Sequence, residues 1–128
     1  MTQAIVLAMV SISLSAAAQV ILKLGMVRIM AARAGASPGL TETITAALGS
    51  PLVWAGLFVY GASALAWLGV LARLDLSLAY PFVAVGLVVT CLLGVVVFGE
   101  PSNYMKVSGI VLVAVGVLMV GLSAGPVR

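Results

Sequence analysis

LSLAYPFVAVGLVVTCLLGVVVFG, residues 76–99, passes from Leu76 to Gly99 without a single Asp, Glu, Lys, Arg or His. A helix rises 1.5 Å per residue, so about 20 such residues cross the roughly 30 Å hydrocarbon core of a bilayer. Three further stretches share the property: Met1–Leu22, Leu52–Ala72 and Val107–Val127. The few charges stand where these stretches end. The pattern predicts an all-α membrane protein with four transmembrane helices, at about 3–33, 51–73, 77–98 and 104–122, in one domain over residues 1–128.

Composition points the same way. The chain is 64% apolar and 7% charged, with a mean hydropathy of +1.34, whereas soluble domains carry about a quarter charged residues. Four helices in 128 residues are too thin to enclose much of a cavity, so a second copy or a related partner is expected to complete any transport path. The net charge of +3 does not indicate nucleic acid, because Lys and Arg at helix ends set topology and touch lipid phosphates. Cys91 is the lone cysteine and there is no histidine. Cys91 reads as a small packing residue, and no disulfide framework, metal site or other cofactor is expected. The run ending in Ala16-Ala17-Ala18 resembles a cleavable leader, but no cation precedes it, so a retained helix is expected.

Connections follow from the breakers. Gly35 to Gly49 reads as the one real loop, with a short surface turn over Thr41–Thr45. Ser50-Pro51 starts the second span with a serine cap and a proline at the first helical position. Leu74-Asp75-Leu76-Ser77 is tight enough to make the second and third spans antiparallel neighbours. Ser77 is expected to cap the third span, and Pro81 to distort its start or move it towards Pro81. With four spans, both termini share one side with the Arg73–Asp75 turn. Lys23, Arg28, Arg33 and Lys106 lie on the other side, against Arg73 and Arg128. The positive-inside rule then places the first and third loops in the cytoplasm.

The most unusual polar feature is a stripe on the first helix. Ser11, Ser15, Gln19 and Lys23 recur at four-residue spacing and share one helix face. Unpaired polar groups are costly in hydrocarbon, so the stripe is expected to face other helices or a hydrated cleft. Two readings compete. In one, the serines bond locally, Gln19 bridges helices and Lys23 snorkels to the interface. In the other, Lys23 binds a phosphate and Gln19 hydrogen-bonds a sugar. Tyr80 places a hydroxyl and a ring beside the amides of a helix start, where anions bind; the alternative is a plain interfacial aromatic. Gly109 and Gly116, seven apart, permit close backbone approach for dimerisation or for packing within the unit. Glu42, Asp75 and Glu100 all lie at span ends or in loops. No carboxylate therefore sits at mid-membrane, and no nucleophile–base pair or phosphate loop is present, so an enzyme is not expected.

These residues resemble the drug/metabolite transporter superfamily in its short four-helix, small multidrug resistance-like form, half of a ten-helix fold. The resemblance rests on Ser50-Pro51-Leu52-Val53-Trp54, on Arg73 through Pro81 with its Ala79-Tyr80-Pro81, on Gly99-Glu100-Pro101, and on Gly109 with Gly116. With Ser13-Leu14-Ser15-Ala16-Ala17-Ala18-Gln19-Val20-Ile21-Leu22-Lys23, the chain further resembles the undecaprenyl-phosphate-aminoarabinose flippase subunits, ArnE and ArnF. In small multidrug resistance transporters an essential glutamate lies eight residues before a lysine. Ser15 holds that position before Lys23, and Val83 stands where an aromatic residue follows the tyrosine matched by Tyr80. The paired glycines are kept as Gly109 and Gly116.

The resemblance implies a subunit of a bacterial inner-membrane flippase. It would carry an undecaprenyl-phosphate-linked sugar, aminoarabinose, between leaflets through a lateral polar groove. Gln19, Lys23 and Tyr80 would line that groove, Ser11 and Ser15 would extend it, and an identical or paralogous subunit would complete it. The alternatives are an exporter of cationic or hydrophobic compounds and an accessory subunit that transports nothing.

Overall fold

The structure, a computed structural model, describes residues 2–33 and 39–123. Residues 35–38 of the expected loop, and Arg128, lie outside them. The described chain forms five helices: α1 (Thr2–Ala32), α2 (Leu40–Leu48), α3 (Pro51–Leu71), α4 (Leu76–Phe98) and α5 (Tyr104–Ser123). α1, α3, α4 and α5 are each long and apolar enough to cross a membrane, which makes this an all-α, four-span membrane protein. With 31 residues, α1 is about 46 Å long and outruns the hydrocarbon core, so its last turns with Arg28, and Arg33 just after them, project beyond it.

α1 and α3 form the tightest pair. α1 offers a row of mostly small residues at alternating four- and three-residue spacing, of which Ala4, Ala8, Ser11, Ala18 and Gly25 are buried. α3 answers with Val53, Gly56, Ser63 and Val70, also buried. Lipid tails are as apolar as leucine, so membrane helices associate through close backbone approach and interhelical hydrogen bonds. Both devices are present. A Cβ on Gly56 would lie 2.7 Å from Leu22 Cγ, and one on Gly25 would lie 3.0 Å from Val53 Cγ2. Ser11 Oγ donates to the Ser63 carbonyl at 2.9 Å, and Ser63 Oγ donates back to the Ser11 carbonyl at 2.9 Å.

α4 packs on another side of α1, with Ile12 against Gly86, and α5 packs on α4. The tight Leu74–Ser77 connection does not make α3 and α4 close neighbours. They meet only slightly, because α1 lies between them and contacts both. A short turn fixes only the helix ends, whereas the small-residue row of α1 decides what packs along the spans.

Three local expectations are also corrected. α4 starts at Leu76, one residue from the expected 77, so Pro81 does not move the start towards itself, and Asp75, not Ser77, holds the cap position. The Asp75 carbonyl receives the amides of Leu78 at 2.9 Å and Ala79 at 3.0 Å. Pro81 is accommodated within the helix, where its Cγ would lie 3.5 Å from a Cβ on Gly121 of α5. The turn expected over Thr41–Thr45 is part of a helix, α2. Its Leu40, Ile44 and Leu48 recur every four residues and are all exposed, an apolar row suited to the membrane interface. Trp54 Nε1 donates to the Leu48 carbonyl at 2.8 Å, and Arg33 donates to the Glu42 carbonyl at 3.2 Å. These bonds hold a helix too short to be stable alone in water.

Gly56→Ala is expected to force α1 and α3 apart and to cost about 1–3 kcal/mol. Ser63→Ala is expected to cost about 1 kcal/mol. Reversible unfolding in mixed micelles measures both, and an unchanged midpoint for Gly56→Ala would contradict the close seam. On a Cys91→Ser background, a nitroxide at Ile44→Cys is expected to be relaxed by oxygen from the lipid side. One at Thr41→Cys is expected to respond to a water-soluble relaxant, and equal responses would contradict the interfacial placement of α2.

Candidate functional site

Because α3 and α4 diverge on either side of α1, a cleft of about 360 Å³ opens between them. α1 contributes Ser11, Ser15 and Gln19 to its wall, α3 contributes Tyr60, Ser63 and Trp67, and α4 contributes Val83, Leu87 and Thr90. A second hollow of about 250 Å³ shares Gln19 and Thr90 with the first. It runs on to Lys23, Phe98, Glu100 and Lys106. The two adjoin along α1, with Gln19 and Thr90 in the walls of both. From Ser11 to Lys23 they cover about 18 Å at helical rise.

The polar groups are partly committed. The Ser11–Ser63 pair is buried, and each hydroxyl donates to the other residue's carbonyl, so it fastens two helices at the base of the cleft. Gln19 Nε2 donates to Ser15 Oγ at 3.3 Å, and Thr90 Oγ1 donates to the Gly86 carbonyl at 2.9 Å. Thr90 therefore offers the cleft acceptor lone pairs, suited to hydroxyl or amine donors. Among the described residues no buried side-chain polar atom lacks a partner, and no cluster of potential metal ligands occurs. The Tyr60 and Trp67 rings provide apolar faces beside the polar groups.

The charged end is built from three elements. α4 closes on Gly99, whose φ of 61° is the left-handed conformation that glycine adopts without penalty. The Gly99 amide returns to the Val95 carbonyl at 3.1 Å, and the Glu100 amide to the Gly94 carbonyl at 3.2 Å. This reversal folds Glu100 back over Gly94. Its carboxylate pairs with Lys23 of α1 and, at 3.1 Å, with Lys106 of α5. Lys23 Nζ also sits 4.8 Å from the centre of the Phe98 ring, within cation–π range. Asn103 Oδ1 accepts the Lys106 amide at 2.8 Å, fixing the start of α5.

The structure thus brings Ser11, Ser15 and Gln19 to one cleft and Gln19 with Lys23 to its continuation. Tyr80 is 60% exposed and lines neither hollow. It stands one turn beyond Val83 on the same row of α4. Gly109 and Gly116 lie on α5, with open space where a Cβ would be. Tyr60, Ser63, Trp67 and Thr90 join the site without any expectation from the sequence, and Glu100 and Lys106 were expected only as charges at span ends. A signal for the α3 wall exists, since Tyr60, Ser63 and Trp67 follow the three–four spacing of one helix face. No sequence spacing relates Glu100 to Lys23, which are 77 residues apart.

No protein-family model matches the chain, and no solved structure matches it. Curated relatives do. A probable 4-amino-4-deoxy-L-arabinose-phosphoundecaprenol flippase subunit ArnE of Pseudomonas syringae pv. syringae (strain B728a) is 42% identical over 90 residues, covering 70% of this chain and 78% of the relative. The ArnE of Pseudomonas aeruginosa (strain UCBPP-PA14), named in the same words, is 38% identical over 80 residues, covering 62% and 70%. A probable flippase subunit ArnF of Sodalis glossinidius (strain morsitans) is 32% identical over 123 residues, covering 92% and 90%. Four membrane spans together with such relatives identify a multi-pass protein of the bacterial inner membrane that belongs to the ArnE/ArnF family of flippase subunits.

Proposed function

We propose that this chain is one subunit of a flippase that moves an undecaprenyl-phosphate-linked sugar, aminoarabinose, between the leaflets. The observation that carries this reading is the pair of adjoining hollows along α1, polar at mid-span, free of carboxylates there, and ending at two lysines. The physical problem is to carry a phosphate and a sugar across hydrocarbon while the polyprenyl tail stays in lipid. A cleft open between α3 and α4 lets the headgroup enter sideways. Hydroxyl and amide groups then stand in for the water it sheds.

Within that reading, Lys23 binds the phosphate as a point charge at the loading end. Gln19, Ser15 and Thr90 hydrogen-bond the sugar, and Tyr60 and Trp67 cover its apolar face. Ser11 holds the floor, and Tyr80 meets the headgroup towards the opposite leaflet. The loading end is cytoplasmic on the positive-inside rule, since Arg28 and Arg33 lie at the same end of α1. The work is transport rather than catalysis, since the buried serines bond to each other rather than to a base. The cleft walls hold no carboxylate that could alternate between a proton and a cationic drug, which supports lipid transport over cation export.

The partner in this reading is a paralogous subunit of the same family. Among the described residues α5 buries none of its own, packs on α4 alone of the helices, and leaves Gly109 and Gly116 open on one side. Relatives of this chain carry both subunit names, ArnE and ArnF.

Lys23→Ala is expected to lower translocation of the sugar lipid in reconstituted vesicles about tenfold, the loss of one charge-assisted contact, with folded content unchanged. Full translocation by a well-folded Lys23→Ala protein would remove that residue from the path. The double substitution Gly109→Leu, Gly116→Leu is expected to abolish co-purification of the paralogous subunit while leaving helix content intact. Co-purification at the unsubstituted level would place the interface elsewhere, and pairing with tagged copies of the same chain would make the partner identical.

A further inference from the structure

Lys23 and Lys106 approach one carboxylate from two different helices, at the end of a hollow larger than that carboxylate needs. We propose that the two lysines form a phosphate site for a membrane-borne lipid, and that Glu100 is its tethered internal occupant, displaced when the phosphate arrives. The inference rests on the flippase reading above and adds to it a second phosphate-binding lysine and a competing anion.

Three observations and one point of chemistry carry it. The trio holds two cations and one anion, so it keeps a surplus positive charge. The side chains are partly exposed, at 42% for Lys23, 32% for Lys106 and 33% for Glu100. Ion pairs so open to solvent contribute little stability, and the carboxylate is readily displaced. A phosphate also offers more acceptor oxygens to two ammonium groups than a carboxylate does. Finally, the chain keeps a seat for Glu100. Gly99 turns the backbone towards it, and a Cβ on Gly94 would come within 2.9 Å of Glu100 Oε2.

Displacement has a consequence for transport. Once pushed aside, the Glu100 carboxylate remains tethered beside the phosphate and repels it. A carrier must bind tightly enough to load and weakly enough to release, and a tethered competitor keeps the two lysines from becoming a trap. Gln19 and Thr90, shared with the main cleft, are the next contacts along the path.

The test uses the full chain in detergent, with farnesyl phosphate, inorganic phosphate and farnesol as probes in titration calorimetry. Glu100→Gln is expected to tighten farnesyl phosphate binding about tenfold, by removing the competitor and raising the local positive charge. It is also expected to slow translocation of the sugar lipid in vesicles. Gly94→Ala, which crowds the carboxylate from its seat without changing any charge, is expected to shift affinity in the same direction. Adding Lys106→Gln to Glu100→Gln is expected to cancel the gain. Farnesol is expected to show no change in any variant.

Unchanged or weaker farnesyl phosphate binding in both Glu100→Gln and Gly94→Ala would overturn the proposal and leave the trio as a helix-end clamp. Inorganic phosphate binding as tightly as farnesyl phosphate would overturn the lipid assignment in favour of a free anion. The flippase reading fails separately, if the unsubstituted protein binds farnesyl phosphate and its Glu100→Gln variant tightens, yet neither moves the sugar lipid.

Discussion

The close seam between α1 and α3 is the constraint on which the rest of the structure depends. A bilayer supplies no hydrophobic force between helices, so the pair must be held by backbone proximity and by hydrogen bonds that hydrocarbon does not compete for. Gly56 lets Leu22 approach, Gly25 lets Val53 approach, and Ser11 and Ser63 exchange two bonds across the interface. Since α1 contacts both α3 and α4, which hardly touch each other, it becomes the floor of a cleft. The cleft is thus a result of helix order in space and requires no special loop.

The same seam explains how polar groups can stand at mid-membrane. Ser11 and Ser63 satisfy each other, and Gln19 and Thr90 each have a partner on their own helix. The wall is polar without being orphaned, which avoids the cost of unpaired groups in hydrocarbon. At the end of the path the balance changes. Lys23, Glu100 and Lys106 are partly exposed, and exposed opposite charges pair and separate at low cost.

Much of this was legible in residue order, for definite reasons. Spans are readable because the hydrocarbon core demands uncharged runs of fixed length, and the 76–99 stretch meets that demand outright. The Ser11–Ser15–Gln19–Lys23 row is readable because helical period is a local property. The wall across from it was passed over. Tyr60, Ser63 and Trp67 follow the same periodicity on α3, but which face of α3 turns towards α1 depends on where Gly56 permits contact. Likewise Thr41–Thr45 reads as a turn because threonines favour turns, whereas the exposed Leu40, Ile44 and Leu48 row and the Trp54 tie to Leu48 make it helical.

By itself, then, the sequence determined the class, the number of crossings, the absence of a carboxylate at mid-span and the polar row on α1. All of these are set by composition and by periods of a few residues. Only the tertiary structure decided that α1 separates α3 from α4, that the cleft opens between them, and that Glu100 folds back to a lysine 77 residues away. Those outcomes depend on which small residues let backbones meet, and on a left-handed Gly99 that reverses the chain. The turn at Gly99 is local, but which backbones meet and which lysine Glu100 reaches are relations between distant segments, and no local pattern encodes them.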